Sequence, residues 1–133
     1  RRGVMLAIDT NVIVRYLVND DPKQATIARK LIDGRAVWVS RTVVLESEWV
    51  LRSGYDLDAS TVNGALGAFL ALPTVTVETP SIVKQALEAA ALGMDFADAL
   101  HLAACQEGMA FATFDRRLVT RARKLKYAPV HPL

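Results

Sequence analysis

The sequence alternates short apolar runs with longer helical segments, and no two runs are joined by a tight-turn signal. The runs that predict strands are Val4 to Ile8, Ala36 to Val39, Val75 to Val77, Ala110 to Thr113 and Ala128 to Val130. Strands that alternate with helices and lack hairpin turns pair in parallel. The chain is therefore predicted to be an α/β protein with a central, mostly parallel β-sheet flanked by α-helices.

The segments between these strands have helical spacing and recognisable helix ends. The predicted helices are Asn11 to Asn19, Pro22 to Ile32, Ser40 to Ser53, Asp58 to Leu70, Ser81 to Leu92, Asp95 to Glu107 and Arg116 to Leu125. Because 52% of the 133 residues are hydrophobic, we expect one domain over residues 1–133, with the Met, Phe and Trp side chains in its core. Residues 1–4 precede Met5 and are expected to be an added remnant.

The charge balance and the single cysteine limit the possible functions. The chain has 16 Lys and Arg against 14 Asp and Glu, so its formal charge of +2 creates no general attraction for nucleic acid. Any site for a polyanion must be local. Cys105 cannot form an internal disulfide and fits a reducing compartment. The longest uncharged run, Ala59 to Val77, contains polar residues and a proline, so we expect a soluble, cytoplasmic protein that does not contact membranes.

Two aspartates stand where a predicted strand ends and a helix begins. Asp9 and Asp115 each fit the ordinary role of a helix N-cap. Parallel α/β sheets also gather their ligand sites at the carboxyl ends of the strands. The two aspartates are therefore candidates for a shared cleft as well as for capping.

The helix predicted over residues 40–53 carries an acid in an unusual place. At 100° per residue, Glu48 and Arg52 fall together as a solvated pair, whereas Glu46 lies between Trp49 and Val50 on an apolar face. A carboxylate on such a face is costly unless a cation or hydrogen-bond donors meet it. Glu46 is therefore either part of a buried salt bridge or part of a functional site.

Asp95 and Asp98 lie three residues apart at the start of a nearly all-apolar helix. Asp95 fits an N-cap, whereas Asp98 shares its face with Leu102 and Cys105 and is expected to point into the protein. If Asp98 converges with the acids described above, the carboxylates repel: two of them about 4 Å apart repel by roughly 4 kcal/mol at an effective dielectric near 20. A hard divalent cation, Mg²⁺ or Mn²⁺, is the natural partner of such a cluster.

Four strings that contain these acids resemble the four acidic motifs of PIN-domain ribonucleases, in family order and over essentially the whole chain. The strings are Ile8-Asp9-Thr10-Asn11-Val12, Val44-Leu45-Glu46-Ser47-Glu48-Trp49-Val50-Leu51, Asp95-Phe96-Ala97-Asp98-Ala99-Leu100 and Ala112-Thr113-Phe114-Asp115. The length and the segments Tyr16-Leu17 and Asp20-Asp21-Pro22 make the chain most similar to the VapC toxins of type II toxin–antitoxin systems.

The resemblance implies a site, a metal and partners. It assigns the metal-binding catalytic quartet to Asp9, Glu46, Asp98 and Asp115, and it assigns supporting roles to Asp95, Thr10, Asn11 and Thr113. It also implies a homodimer and a cognate antitoxin protein. The expected reaction is Mg²⁺- or Mn²⁺-dependent hydrolysis of RNA that leaves 5′-phosphate and 3′-hydroxyl ends.

Binding of RNA phosphates requires positive charge near the acids. The candidates are Arg15, Arg116, Arg117 and Arg121. From the charge pattern alone, the basic helix that follows Asp115 is equally well explained as a solvated face.

Other functions stay open or are disfavoured. A metal-free ribonuclease needs paired acid–base groups such as histidines, but His101 is expected in the core and His131 lies near the terminus. A phosphoryl-transfer domain that uses Asp9 as nucleophile lacks its second acid, because Asn11 stands at that position. A DNA nuclease and a non-catalytic module that binds nucleic acid or a partner remain as alternatives.

Overall fold

The computed structural model describes residues 4–127 and 129–133. Its elements are β1 (Leu6–Ala7), α1 (Thr10–Leu17), α2 (Pro22–Gly34), β2 (Val37–Val39), α3 (Arg41–Trp49), a π-helical turn (Val50–Gly54), α4 (Ala59–Leu70), β3 (Val75–Val77), α5 (Pro80–Ala91), α6 (Phe96–Ala103), β4 (Phe111–Thr113), α7 (Arg116–Leu125) and β5 (Val130–Pro132). Ala128, where the last strand is predicted to begin, and residues 1–3 of the expected remnant lie outside the described residues.

The chain forms two compact units, residues 1–80 and residues 81–133. In the first unit, β1, β2 and β3 form a parallel sheet in that order, with Leu6 opposite Val37 and Val37 opposite Val75. The central strand is the most deeply buried, since Val37 and Val39 have no exposed surface. Helix α1 packs against α2 and α3, and α4 packs against β3. Each helix that connects two strands of this sheet thus packs against the sheet or against another helix.

In the second unit, β4 and β5 also pair in parallel, with Phe111 opposite Val130. Helix α7 packs against both strands. The apolar side chains buried in this unit include Val83, Ala86, Phe96, Leu102, Leu118 and Ala122. The predicted α/β class, with parallel strands flanked by helices, is therefore confirmed, whereas the expectation of a single domain stays a prediction. No helix within the described ranges is long and apolar enough to cross a membrane.

Most element boundaries lie close to those predicted from the sequence. Strand β3 and helix α7 coincide with their predictions, and Asp58 caps α4 by accepting the N–H of Thr61 at 2.7 Å. Helix α6 ends at Ala103, well before the predicted end at Glu107. Its last turn tightens, because the N–H of Cys105 donates to the carbonyl of Leu102 at 3.1 Å.

The buried face of α3 differs from the prediction. Glu48, expected in a solvated pair, is only 3% exposed, and its carboxylate accepts the Nε–H of Arg52 at 2.8 Å. The buried stripe is Val44, Ser47, Glu48 and Leu51, which follows helical spacing. The prediction failed because it took Trp49 as a marker of the apolar face, and Trp49 is 59% exposed.

Removal of the Glu48 charge is expected to destabilise the first unit. Glu48→Gln weakens a charge-assisted hydrogen bond to Arg52 in a buried setting, and we expect the free energy of unfolding to fall by about 1–3 kcal/mol. Urea denaturation measures the change. Glu88→Gln, the same substitution at an exposed position of α5, is the control, and equal losses in the two variants would contradict a stabilising role for the Glu48–Arg52 ion pair.

A polar network joins α1, α2 and the segment after the π-helical turn. Arg15 donates from Nη1 to Asp20 Oδ1 at 3.1 Å and to the Tyr55 hydroxyl at 2.9 Å, and from Nε to Gln24 Oε1 at 2.7 Å. The Tyr55 hydroxyl in turn donates to Asp20 Oδ2 at 2.7 Å. This hydrogen bond lowers the pKa of Asp20, and the same bond raises the pKa of Tyr55. The network therefore favours ionised Asp20 in the folded state.

The sign of this pKa shift predicts how stability responds to acid. A folded-state pKa below the ordinary 3.8 contributes stability above pH 3.8, and that contribution is lost as the pH falls through the lower folded value. Because Tyr55→Phe removes the largest cause of the shift, the variant should lose less stability than the wild type on acidification below about pH 4. Urea unfolding over a pH series tests this prediction, with Tyr127→Phe as the control; identical pH slopes for Tyr55→Phe and the wild type would refute it.

Candidate functional site

One cavity in the second unit gathers acidic and basic side chains in the same space. Its volume is about 850 Å³, and its charged lining consists of Asp95, Asp98, Asp115, Arg116, Arg117 and Arg121. Within the described ranges, no salt bridge joins any of these acids to any of these arginines. The cavity therefore presents negative and positive charge that is not joined in ion pairs among the described residues.

Asp115 stands at the junction of β4 and α7 and uses only one of its two carboxylate oxygens to hold the helix. Its Oδ1 accepts the N–H groups of Arg117 at 2.9 Å and Leu118 at 3.2 Å. Its own N–H donates to Thr113 Oγ1 at 3.0 Å, so Thr113 fixes the backbone that carries the acid. Oδ2 accepts no hydrogen bond from the described part of the chain. This oxygen is left for a ligand.

Asp95 and Asp9 divide their oxygens in the same way. Asp95 caps α6 through Oδ2, which accepts the N–H of Asp98 at 3.2 Å, and Asp9 caps α1 through Oδ1, which accepts the N–H of Val12 at 3.3 Å. Both are exposed. Their predicted capping roles are confirmed, and capping leaves the second oxygen of each carboxylate uncommitted among the described residues.

Asp98 is the half-buried acid of the cavity. It lies in the first turn of α6, and its side chain makes no hydrogen bond to any described residue. Burial raises the pKa of Asp98, and the neighbouring carboxylates of Asp95 and Asp115 raise this pKa further, whereas His101 opposes the rise. A cation placed beside Asp98 would relieve the repulsion among the three acids.

The first unit holds the remaining predicted acids, Asp9 and Glu46. The buried hydroxyl of Thr10, directly after Asp9, donates to the Glu46 carboxylate. Glu46 is therefore an exposed carboxylate held by Thr10, and its expected place on an apolar face is wrong. Asn11 is exposed beside them, and its supporting role stays a prediction. The union of these acids with Asp98 and Asp115 in one quartet also stays a prediction.

The donor set fits a hard divalent cation by its chemistry. Every candidate acid offers carboxylate oxygen, which is the ligand that Mg²⁺ and Mn²⁺ prefer. Across residues 4–127 and 129–133, no three Asp, Glu, His or Cys side chains stand close enough to enclose an ion. Mg²⁺ is commonly held by one or two carboxylates, with water and substrate phosphate as its other ligands. An open set of carboxylates suits that mode of binding.

The basic side of the cavity depends on a glycine. Gly93 has a φ of +104°, and a Cβ at this position would lie 2.5 Å from Nη1 of Arg121. Glycine thus permits both the left-handed turn that ends α5 and the close approach of the guanidinium group. Arg15 is held in the network with Asp20 and Tyr55, and its role as an RNA contact stays a prediction.

Two expectations about aromatic and histidine side chains are wrong. His101 is exposed, not part of the core, and its ring stacks on Phe111 with 5.9 Å between the ring centroids. Helix α6 is short and buries Phe96, Ala99, Leu100 and Leu102, so His101 falls on its outer side. Phe114 and Trp49 were expected in the core, but they are 81% and 59% exposed. The position of Phe114 between a strand end and a helix cap could have indicated exposure.

Comparison with known protein families gives a match over most of the chain. The PIN domain family model matches residues 6–124, which covers all the candidate acids and most of the chain. No curated protein matches the chain. The match spans well over half of the sequence, so the chain belongs to the PIN domain family, which is generally a family of nucleases.

Proposed function

We propose that this protein is a Mg²⁺- or Mn²⁺-dependent endoribonuclease that hydrolyses RNA phosphodiester bonds to 5′-phosphate and 3′-hydroxyl ends. The observation that carries the proposal is the cavity in which Asp95, Asp98 and Asp115 share space with three arginines without ion pairing. Unneutralised carboxylates suit cations, and unneutralised guanidinium groups suit phosphates. Membership of a nuclease family supports this interpretation.

The proposed metal ligands are the uncommitted oxygens of Asp9, Glu46, Asp98 and Asp115. A divalent cation, when bound, supplies Lewis acidity that activates water and stabilises charge on the transferring phosphoryl group. The capping bonds of Asp9 and Asp115 fix the directions in which their free oxygens lie. Thr10 orients Glu46, and Thr113 orients the backbone of Asp115. Asp95 adds negative charge beside Asp98.

The arginines of the cavity are proposed to hold the RNA backbone. Arg116 and Arg117 lie in the first turn of α7, directly after Asp115, and Arg121 lies one turn further along the same helix. A phosphate held by these groups would stay beside the acids without needing base-specific contacts. This arrangement explains how a chain with a net charge of only +2 can bind a polyanion.

The biological role that we propose is that of a VapC-like toxin, active on RNA in the cytoplasm and restrained by a cognate antitoxin. The support is the likeness of the four acidic strings, and of the Tyr16-Leu17 and Asp20-Asp21-Pro22 segments, to those toxins. A homodimer is proposed on the same basis. An antitoxin that inserts an Arg or Lys side chain among the acids of the cavity would inhibit the enzyme by occupying its metal site.

Cleavage of a structured RNA pool by purified protein tests the enzymatic proposal. We expect cutting with Mg²⁺ or Mn²⁺, none with EDTA, and products with 5′-phosphate ends. Asp98→Asn should lower the rate by about 100-fold or more, because ligand charge worth several kcal/mol in the transition state is removed. Asp9→Asn should do the same while keeping the cap, since asparagine caps helices as well as aspartate does. Asp33→Asn, an exposed acid of α2, is the control and should cleave like the wild type.

Three outcomes would contradict the proposal. Activity that persists in EDTA would exclude metal-dependent hydrolysis. Cleavage of single-stranded DNA in preference to RNA would indicate a DNA nuclease. If the wild type cuts no RNA and calorimetry shows no Mn²⁺ binding that Asp98→Asn abolishes, the acids are structural and the protein is a non-catalytic module.

A further inference from the structure

Phe114 is the most exposed large hydrophobic side chain in the described part of the molecule. It is 81% exposed and lies in the turn between β4 and α7, next in the chain to residues that line the charged cavity. Its neighbour Asp115 lines that cavity, as do Arg116 and Arg117. A single exposed hydrophobic residue needs no partner, but an exposed aromatic ring next to a charged cavity is available to contact a ligand that binds there.

The backbone that carries Phe114 is fixed on both sides. Before it, the carbonyl of Thr113 accepts the N–H of Leu133 at 2.9 Å. After it, the N–H of Asp115 donates to Thr113 Oγ1 at 3.0 Å, and the Asp115 carboxylate caps α7. The exposed ring is therefore carried by a short hydrogen-bonded turn and not by a long loop. A rigid aromatic side chain loses little conformational entropy when a flat partner stacks on it.

We propose that Phe114 is a stacking subsite for one unpaired nucleobase of the RNA substrate. The proposal rests on the proposed function, and it adds that the bound strand must be unpaired beside the cleavage site. Bases in single strands and loops can turn out to stack on an aromatic ring, whereas bases inside a duplex cannot. The phosphates on either side of that base would reach Arg116 and Arg117, which follow Asp115 in the chain.

The charge around Phe114 favours a nucleotide over an apolar protein surface as its partner. The three arginines of the cavity make no salt bridge to any described acid. A protein that covered Phe114 would therefore have to bury these arginines or place carboxylates opposite them. A nucleotide brings a flat base and a phosphate together, and the two match the adjacent ring and guanidinium groups. Stacking of this kind tolerates any base, since every base presents a π-face.

Binding of a labelled single-stranded RNA in EDTA tests the subsite without relying on cleavage. We expect Phe114→Ala to weaken binding about tenfold, which corresponds to about 1.4 kcal/mol. Phe114→Tyr keeps the ring and should bind like the wild type, whereas Phe114→Leu keeps apolar area without a π-face and should bind weakly. Trp49→Ala removes an exposed aromatic ring from α3 and should leave binding unchanged.

An abasic scan of the same RNA makes the test specific. In the wild type, removing the base at one position should cost about tenfold in affinity, and in Phe114→Ala the same removal should cost nothing further. An unchanged scan in Phe114→Ala, or wild-type affinity in that variant, would overturn the subsite. So would a change in oligomeric state of Phe114→Ala by light scattering, because the ring would then lie between copies of the chain.

The two proposals fail in different ways. If the wild type cleaves RNA in an Asp98-dependent manner while Phe114→Ala binds and cleaves normally, only the stacking subsite is wrong. If the wild type neither binds nor cleaves RNA, the proposed function fails, and the subsite fails with it.

Discussion

The amide groups at the start of each helix must find acceptors, and this requirement governs where the acids of this protein stand. The first N–H groups of a helix have no partner inside it. In a parallel α/β fold, helices begin close after the strands, so capping side chains collect where ligands also bind. Asp9 and Asp115 each lie between a strand and a helix, and each caps that helix. Capping and metal binding are thus compatible uses of one carboxylate, because each use takes a different oxygen.

Helix capping also bears on the charges in the cavity. A capping carboxylate is held close to backbone dipoles, which stabilise its ionised form at the helix terminus. The Asp98 carboxylate accepts no such bond from the described residues; its burial, and then repulsion from Asp95 and Asp115, raise its pKa. The arginines that line the same space do not approach closely enough to cancel this repulsion. The cavity has an acidic side, which suits a metal ion, and a basic side, which suits a phosphate group.

The sequence was sufficient to predict the order of strands and helices, the parallel pairing and the capping acids. Strand β3 and helix α7 are bounded by a proline-containing turn and by Asp115, which are strong local signals. The phase of α3 was harder to predict, because apolar residues occur on every side of this helix and Trp49 marks the exposed one. Only the tertiary packing decides that Glu48 is buried and Glu46 is not. Phe114 likewise lies in a turn that is held in part by a hydrogen bond from Leu133, which is distant in the sequence.

The all-parallel pairing also sets an order in which the chain can acquire its structure. Leu6 meets Val37, Val37 meets Val75, and Phe111 meets Val130, so every ladder closes only after an intervening helical crossover has been made. Such non-local closure slows folding relative to hairpin proteins of similar size. On the ribosome, the sheet of the first unit can close once Val77 has emerged, while the residues of the basic helix are still to be added. Asp9 and Glu46 can therefore reach their folded positions before the arginines of the cavity have been synthesised.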